Sequence, residues 1–151
     1  MSEARTLRNS GLVKEATFDE EEVATWGRAF GAALLPPCVI VLSGELGSGK
    51  TRLAQAICLG YGVTEPVTSP TFALIHKYES PGSPVFHVDL YRLKGEQESA
   101  ALGLEELLSL RALTIIEWPD RAEALIPRDA IRILLEHVPG DVDKRRLRLI
   151  R

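Results

Sequence analysis

Cys38-Val39-Ile40-Val41-Leu42-Ser43-Gly44-Glu45-Leu46-Gly47-Ser48-Gly49-Lys50-Thr51 is the stretch that decides how this chain folds. Its first six residues form an apolar run of strand length, rich in β-branched side chains, which suits a strand buried on both faces of a parallel sheet. Its last eight fit G-x-x-x-x-G-K-[ST] at every fixed position. Lys50 to about Gly60 then reads as a helix with Leu53, Ala54, Ile57 and Cys58 on one side. Strand, glycine-rich loop and helix in this order are the context in which the motif holds phosphate. The glycines let successive backbone N–H groups turn inward around phosphate oxygens, and the helix points its positive end at the same place. Lys50 is expected to bridge the β- and γ-phosphates of an ATP-type nucleotide. The Thr51 hydroxyl takes one position on an octahedral Mg²⁺, with phosphate oxygens and water in the others.

Working outward, Leu12 to Phe18 alternates apolar with polar and reads as a short strand. Asp19 opens a helix with Glu22 three residues on as a capping box, and the helix is predicted to run to about Leu35, ahead of Pro36 and Pro37. Val23, Trp26, Phe30 and Leu34 recur at three and four residues, so both aromatics belong to the core face. Downstream, Phe72 to Tyr78 and Val85 to Leu90 are strands joined by the turn-rich Glu79-Ser80-Pro81-Gly82-Ser83-Pro84, which implies that part of the sheet is antiparallel. Glu96 to about Leu110 is helical with an interruption at Gly103, and Leu113 to Glu117 is an apolar strand ending in a carboxylate. Ala130 to Val138, the Pro139-Gly140-Asp141 turn and Arg145 to Ile150 read as a second hairpin at a sheet edge. There Lys144, Arg145, Arg146, Arg148 and Arg151 alternate with Leu147 and Leu149, as the solvated face of an edge strand would, in preference to an RNA patch.

The 151 residues fit one domain, with residues 1–11 as a polar N-terminal segment and 12–151 as the P-loop domain. Hydrophobic content of 45% and charged content of 26% are ordinary for a globular chain, and a formal charge of −3 supplies no overall attraction to RNA or anionic membrane. Cys38 and Cys58 are not a C-x-x-C pair and sit in apolar runs, as buried thiols do. Met1 to Ser10 has no apolar signal region, and no stretch of about 18 apolar residues occurs, so the expected location is cytoplasmic. The fold class expected is α/β: a single-domain P-loop NTPase whose mixed, partly antiparallel sheet is flanked by helices.

A phosphate cradle of this kind needs a carboxylate for the metal and its waters, and that group usually ends a neighbouring apolar strand. Glu117 and Asp89 both stand at such places, and either is a candidate metal ligand or water-orienting group. His87 and Asp89 share one strand face, but one His and one Asp do not make a zinc site. His76 reads as a partly exposed strand residue. No N-K-x-D element reads guanine, and no long arginine-rich lid insert is present.

Thr68-Ser69-Pro70-Thr71-Phe72, His87-Val88-Asp89-Leu90-Tyr91-Arg92-Leu93 and Glu117-Trp118-Pro119-Asp120-Arg121 follow the Gly-Glu-Leu-Gly-Ser-Gly-Lys-Thr loop in this order. Together, over roughly residues 12 to 138, they closely resemble the bacterial tRNA threonylcarbamoyladenosine biosynthesis ATPase family, TsaE. The resemblance implies an ATPase that joins TsaB and TsaD, the latter transferring a threonylcarbamoyl group to the adenosine beside the tRNA anticodon. It implies weak hydrolysis alone, turnover within the complex that resets the transferase, and tRNA met through the partners. Carried over by position, Lys50, Glu117, Asp89 and Thr71 are the catalytic set, and Thr51, Glu117 and Asp89 the metal set. Nucleotide contacts run along Glu45, Leu46, Gly47, Ser48, Gly49, Lys50, Thr51 and Arg52 and include the ring of Trp118, for which simple packing is the alternative. Tyr91 and Arg92 fall to switch geometry or partner contact. Ala73 and Arg52 depart from what many members carry. No arginine finger is evident, and Arg121 or a partner's arginine would have to supply one. Two other readings of the same loop are a small-molecule kinase and a nucleotide-dependent docking module.

Overall fold

A computed structural model describes residues 13–67, 75–91 and 103–150. The chain runs β1 (Val13–Asp19), α1 (Glu20–Ala32), β2 (Cys38–Ser43), α2 (Lys50–Tyr61), β3 (Ile75–Tyr78), β4 (Val85–Asp89), α3 (Leu104–Leu108), β5 (Leu113–Glu117), a 3₁₀ segment (Pro119–Leu125), β6 (Ile131–Val138) and β7 (Asp141–Ile150). The seven strands form one sheet in the order β1-β7-β6-β2-β5-β4-β3. β2 pairs in parallel with β5 and β6, and β4 in parallel with β5, while β3 and the β7–β1 pair join antiparallel. This is the mixed α/β sheet of a P-loop NTPase. The parallel block brings the C-terminal ends of β2, β4, β5 and β6 to one end of the sheet, where ligands of open α/β folds bind.

Each face of the sheet has its own core. α1 and α2 cover one face, where Phe18, Trp26, Phe30, Leu53, Ile57, Ile115, Leu147 and Leu149 cluster. α3 and the 3₁₀ segment cover the other, against Val41, Val88, Ile116, Leu104 and Ile126. Ile40, Leu42, Leu113, Ile115 and Ile133 are fully buried, and at about 1.5–3 kcal/mol for each such side chain they hold the central strands in register. α1 and α2 touch backbone to backbone through glycine. A Cβ on Gly31 would stand 2.1 Å from the Ile57 carbonyl oxygen, and one on Gly60 2.0 Å from that of Arg28. The approach locks the C-terminal half of α2 against α1. None of the helices among the described residues is long and apolar enough to cross a membrane.

The capping box forms as expected, with Asp19 Oδ1 accepting from the Glu22 N–H at 2.8 Å and Glu22 Oε1 from the Asp19 N–H at 2.9 Å. α1 stops at Ala32, short of Leu35, because a residue before proline is pushed out of the helical region and the turn must reverse into β2. Of the Glu96–Leu110 helix, residues 96–102 lie outside the description. α3 starts just after Gly103, whose φ of +72° marks the interruption. The strand reading of Phe72–Tyr78 is described only from Ile75. β7 is longer than expected, beginning at Asp141.

One expectation is corrected. The C-terminal hairpin is not at the sheet edge: β7 lies between β6 and β1, with Val13 opposite Ile150 and Asp19 opposite Lys144. Its arginines therefore do not guard an unpaired edge. Arg148 pairs with Glu15 at 3.0 Å and lies 3.7 Å from Glu136, charges supplied by the strands on either side. Cys58 is buried, but Cys38 is only partly so.

Candidate functional site

The loop after β2 folds as its glycines require. Gly44, Gly47 and Gly49 have φ of +147°, +78° and +103°. At Gly44 a side chain is also excluded by space, since a Cβ would lie 2.3 Å from the Leu135 carbonyl oxygen and 2.7 Å from Ser48 Oγ. α2 begins at Lys50, and its N-cap, Gly49, has no side chain to cap the first N–H groups, which leaves a helix N-terminus able to receive an anion. Ser48 Oγ, inside the same loop, is buried without a hydrogen-bond partner among the described residues.

Lys50 is buried, and its ammonium donates to the carbonyl oxygens of Gly44 at 2.6 Å and Glu45 at 3.0 Å. The same ammonium sits 4.1 Å from the centroid of the Trp118 ring. Burial holds its pKa below the ordinary lysine value, and the charges of Glu117 and Asp89 oppose that shift. Trp118 reaches this position through a left-handed backbone, φ 60° and ψ 58°, which costs a non-glycine residue about 1–2 kcal/mol. Tyr91 packs against the same ring at a tilt of 53°, ring centroids 4.7 Å apart. Strain of this kind clusters at functional sites, and here its result is a ring laid over the loop lysine.

The two candidate carboxylates come together because β4 and β5 are parallel and in register, Asp89 opposite Glu117. Glu117 is buried. Its Oε1 lies 3.4 Å from Thr51 Oγ1, and its Oε2 makes a 2.5 Å hydrogen bond with His87 Nε2. Asp89 Oδ1 accepts the Tyr91 N–H at 2.9 Å. Burial raises the Asp89 pKa, with the charge of Glu117 adding to the effect, while the Tyr91 N–H, His87 and Lys50 oppose it.

A cavity of about 730 Å³ opens here, lined by residues 46–52 of the loop and α2, by Asp89, Tyr91, Glu117 and Trp118, and by Asp19, Glu20, Val23, Val142 and Arg145 across the gap. That volume lies within the range of about 300–1,000 Å³ usual for small-ligand sites. The residues fit a magnesium-bound nucleotide. The loop offers an anion cradle and a buried cation, and Thr51 with Glu117 and Asp89 offers hard oxygen donors. Among the described residues no three His, Cys, Asp or Glu side chains gather into an all-protein metal cage.

The other residues singled out in the sequence fall in several places. Leu46 is exposed at the loop tip, and the Glu45 carbonyl accepts the Ser48 N–H at 3.1 Å besides its bond to Lys50. Arg52 turns to Glu20, 3.3 Å away at the rim. Thr71, Ala73 and Arg92 lie outside the described residues. Two contacts were not foreseen. Arg145, taken for a solvated strand residue, donates from Nε to the Ser48 carbonyl at 3.1 Å and so braces the loop from β7. His87, weighed only as a partner for Asp89, instead holds Glu117.

The family model for the threonylcarbamoyl adenosine biosynthesis protein TsaE matches residues 17–147. The tRNA threonylcarbamoyladenosine biosynthesis protein TsaE of Rickettsia bellii is 41% identical over 123 residues, 81% of this chain and 85% of the relative. The Bacillus subtilis protein of the same name is 33% identical over 129 residues, 85% of this chain and 80% of that one. In three dimensions the fold is similar to the crystal structure of Bacillus subtilis YdiB, with a TM-score of 0.74 and 28% identity over 93% of this chain and 87% of that one. A phosphate-type loop with registered carboxylates at the ends of parallel strands, in a chain matched by that model over nearly its whole length, makes this chain a member of the TsaE family.

Proposed function

We propose that this protein is a P-loop ATPase that supports threonylcarbamoyl transfer to the tRNA adenosine beside the anticodon. It would act in the cytoplasm with TsaB and TsaD and reset the transferase between cycles. The observation that carries the nucleotide part is the meeting of Lys50 and Thr51 with the registered pair Asp89 and Glu117 at one end of the sheet. The biosynthetic part rests on family membership.

Magnesium, when bound, supplies a Lewis acid that neutralises charge developing on the β- and γ-phosphate oxygens. The rest is positioning by the chain's own groups. Loop N–H groups hold the phosphates, and the Lys50 ammonium exchanges its carbonyl partners for phosphate oxygens. Thr51 and Glu117 face the metal position. Asp89, with its pKa raised by burial, stands beside them to orient a water. Arg52 and Arg145 line the cavity, while the side chain of Arg121 and the whole of Arg92 lie outside the description, and a partner's arginine would complete the site. tRNA is met through TsaB and TsaD, in keeping with a net charge of −3.

The test is ATP hydrolysis by the purified chain, alone and with TsaB, TsaD and tRNA, with Lys50→Ala as the blank. Stimulation by the partners that Lys50→Ala abolishes is the expected result. No stimulation, together with phosphate appearing on a small-molecule acceptor, would replace this reading with a kinase. Assembly that needs nucleotide but never turnover would replace it with a docking module.

A further inference from the structure

We propose that His87 is a positioning residue that fixes which oxygen of Glu117 faces the nucleotide's metal; the inference rests on the magnesium-nucleotide reading above. Asp89 is opposite Glu117 in the parallel β4–β5 pair, so His87, two residues earlier on the same face, stands diagonal to the glutamate. Its ring is fully buried, and Nε2 meets Glu117 Oε2 at 2.5 Å. Glu117 makes one other side-chain hydrogen bond among the described residues, the 3.4 Å contact of Oε1 with Thr51, which is at the long limit for such a bond. The short bond to His87 therefore fixes the carboxylate rotamer. It reserves Oε2 for the protein and leaves Oε1 beside the Thr51 hydroxyl.

The tautomer follows from the surroundings. Among the described residues, Nδ1 is buried with no hydrogen-bond partner. A proton there would leave an unpaired N–H and set two lone pairs facing each other at Nε2 and Oε2. With the proton on Nε2, His87 donates to Glu117 and leaves only a lone pair unpaired at Nδ1. Carboxylates that bind metals are commonly held in this way by a hydrogen-bonded neighbour, and loss of such a neighbour costs about 10- to 100-fold in metal affinity.

A ring that merely filled the core would not distinguish donors by position, and this sets the test. His87→Gln keeps an N–H donor near the place of Nε2, whereas His87→Asn places it near Nδ1. Both would be compared with wild type by Mn²⁺ titration of the ADP complex, followed by electron paramagnetic resonance. Fluorescent-ADP affinity would be measured in parallel, with Mg²⁺ and with EDTA. The expected result is that His87→Asn lowers Mn²⁺ affinity by about 10- to 100-fold while affinity in EDTA stays within about twofold, and that His87→Gln recovers most of the loss. Should the Asn variant fail to fold, His87→Phe, which fills the space without a donor, takes its place. Equal Mn²⁺ affinity in the Asn and wild-type proteins would overturn the inference, as would equal losses with and without metal in both variants. Nucleotide affinity indifferent to Mg²⁺ in the wild type would instead overturn the functional reading itself.

Discussion

Gly44→Ala separates close approach from mere backbone freedom in the phosphate loop. The new Cβ would lie 2.3 Å from the Leu135 carbonyl oxygen, and β6, which carries that carbonyl, is locked between β2 and β7 and cannot withdraw. Ser48 Oγ, 2.7 Å away, is buried too. Holding alanine at φ +147° adds about 1–3 kcal/mol of backbone strain, and overpacking adds about 1–3 kcal/mol more. The sum, about 2–6 kcal/mol, is a large part of the roughly 5–15 kcal/mol that stabilises a domain. Gly47→Ala is the control: its φ is +78°, but nothing lies within 4 Å of its Cβ, so only backbone strain of about 1–2 kcal/mol applies. With a urea m-value of about 2 kcal/mol per molar, the Gly44→Ala midpoint should fall by about 1–3 M and that of Gly47→Ala by less than about 1 M. Equal midpoints for the two variants would refute the steric account of Gly44.

Lys50→Met keeps the packing of the stem and removes a buried ammonium whose burial cost opposes its attraction to Glu117 and Asp89. The melting temperature should change little while nucleotide affinity falls by about 10- to 100-fold, from loss of a charge-assisted bond worth about 1.5–3 kcal/mol; a melting-temperature drop with unchanged affinity would contradict this. Because the Lys50 ammonium rests on the Trp118 ring, nucleotide addition should alter tryptophan emission in the wild type and in Trp26→Phe but not in Trp118→Phe, as a fluorescence titration can show. Burial pushes the Cys58 thiol up to about 12 from 9.0. An unfolded chain ionises it more readily, so its contribution to stability is complete below about pH 9 and declines as pH rises towards 12. A thiol reagent at pH 8 should leave Cys58 unmodified in the native protein and reach it after unfolding, with peptide mass spectrometry reading the site.

The strand, glycine-rich loop and helix were legible because their determinants are local. Fixed glycines, a lysine and a hydroxyl sit within eight residues, between a strand and a helix written in hydrophobic periodicity. Glu117 and Asp89 were legible for a similar reason, each ending an apolar run. What escaped was non-local. Leucines alternating with arginines in β7 look the same at a sheet edge and in an interior strand with one polar face, and only the pairing of Val13 with Ile150 decides between them. The His87–Glu117 bond spans 30 positions and depends on the parallel register of two strands that the chain itself does not print. Nothing about Trp118 announced a left-handed backbone, since tryptophan has no preference for it and tertiary packing imposes it. Arg145 carries no signal that separates it from its basic neighbours until β7 is placed beside the loop.

Calorimetric titration of the purified chain with ATP, in Mg²⁺ and in EDTA, for wild type, Lys50→Ala and Glu117→Ala, tests the magnesium-nucleotide site most directly. The expected result is saturable binding in the wild type that tightens with Mg²⁺, loss of binding in Lys50→Ala, and binding in Glu117→Ala that no longer responds to the metal. Wild-type-like binding in Lys50→Ala, or an undiminished magnesium response in Glu117→Ala, would contradict it.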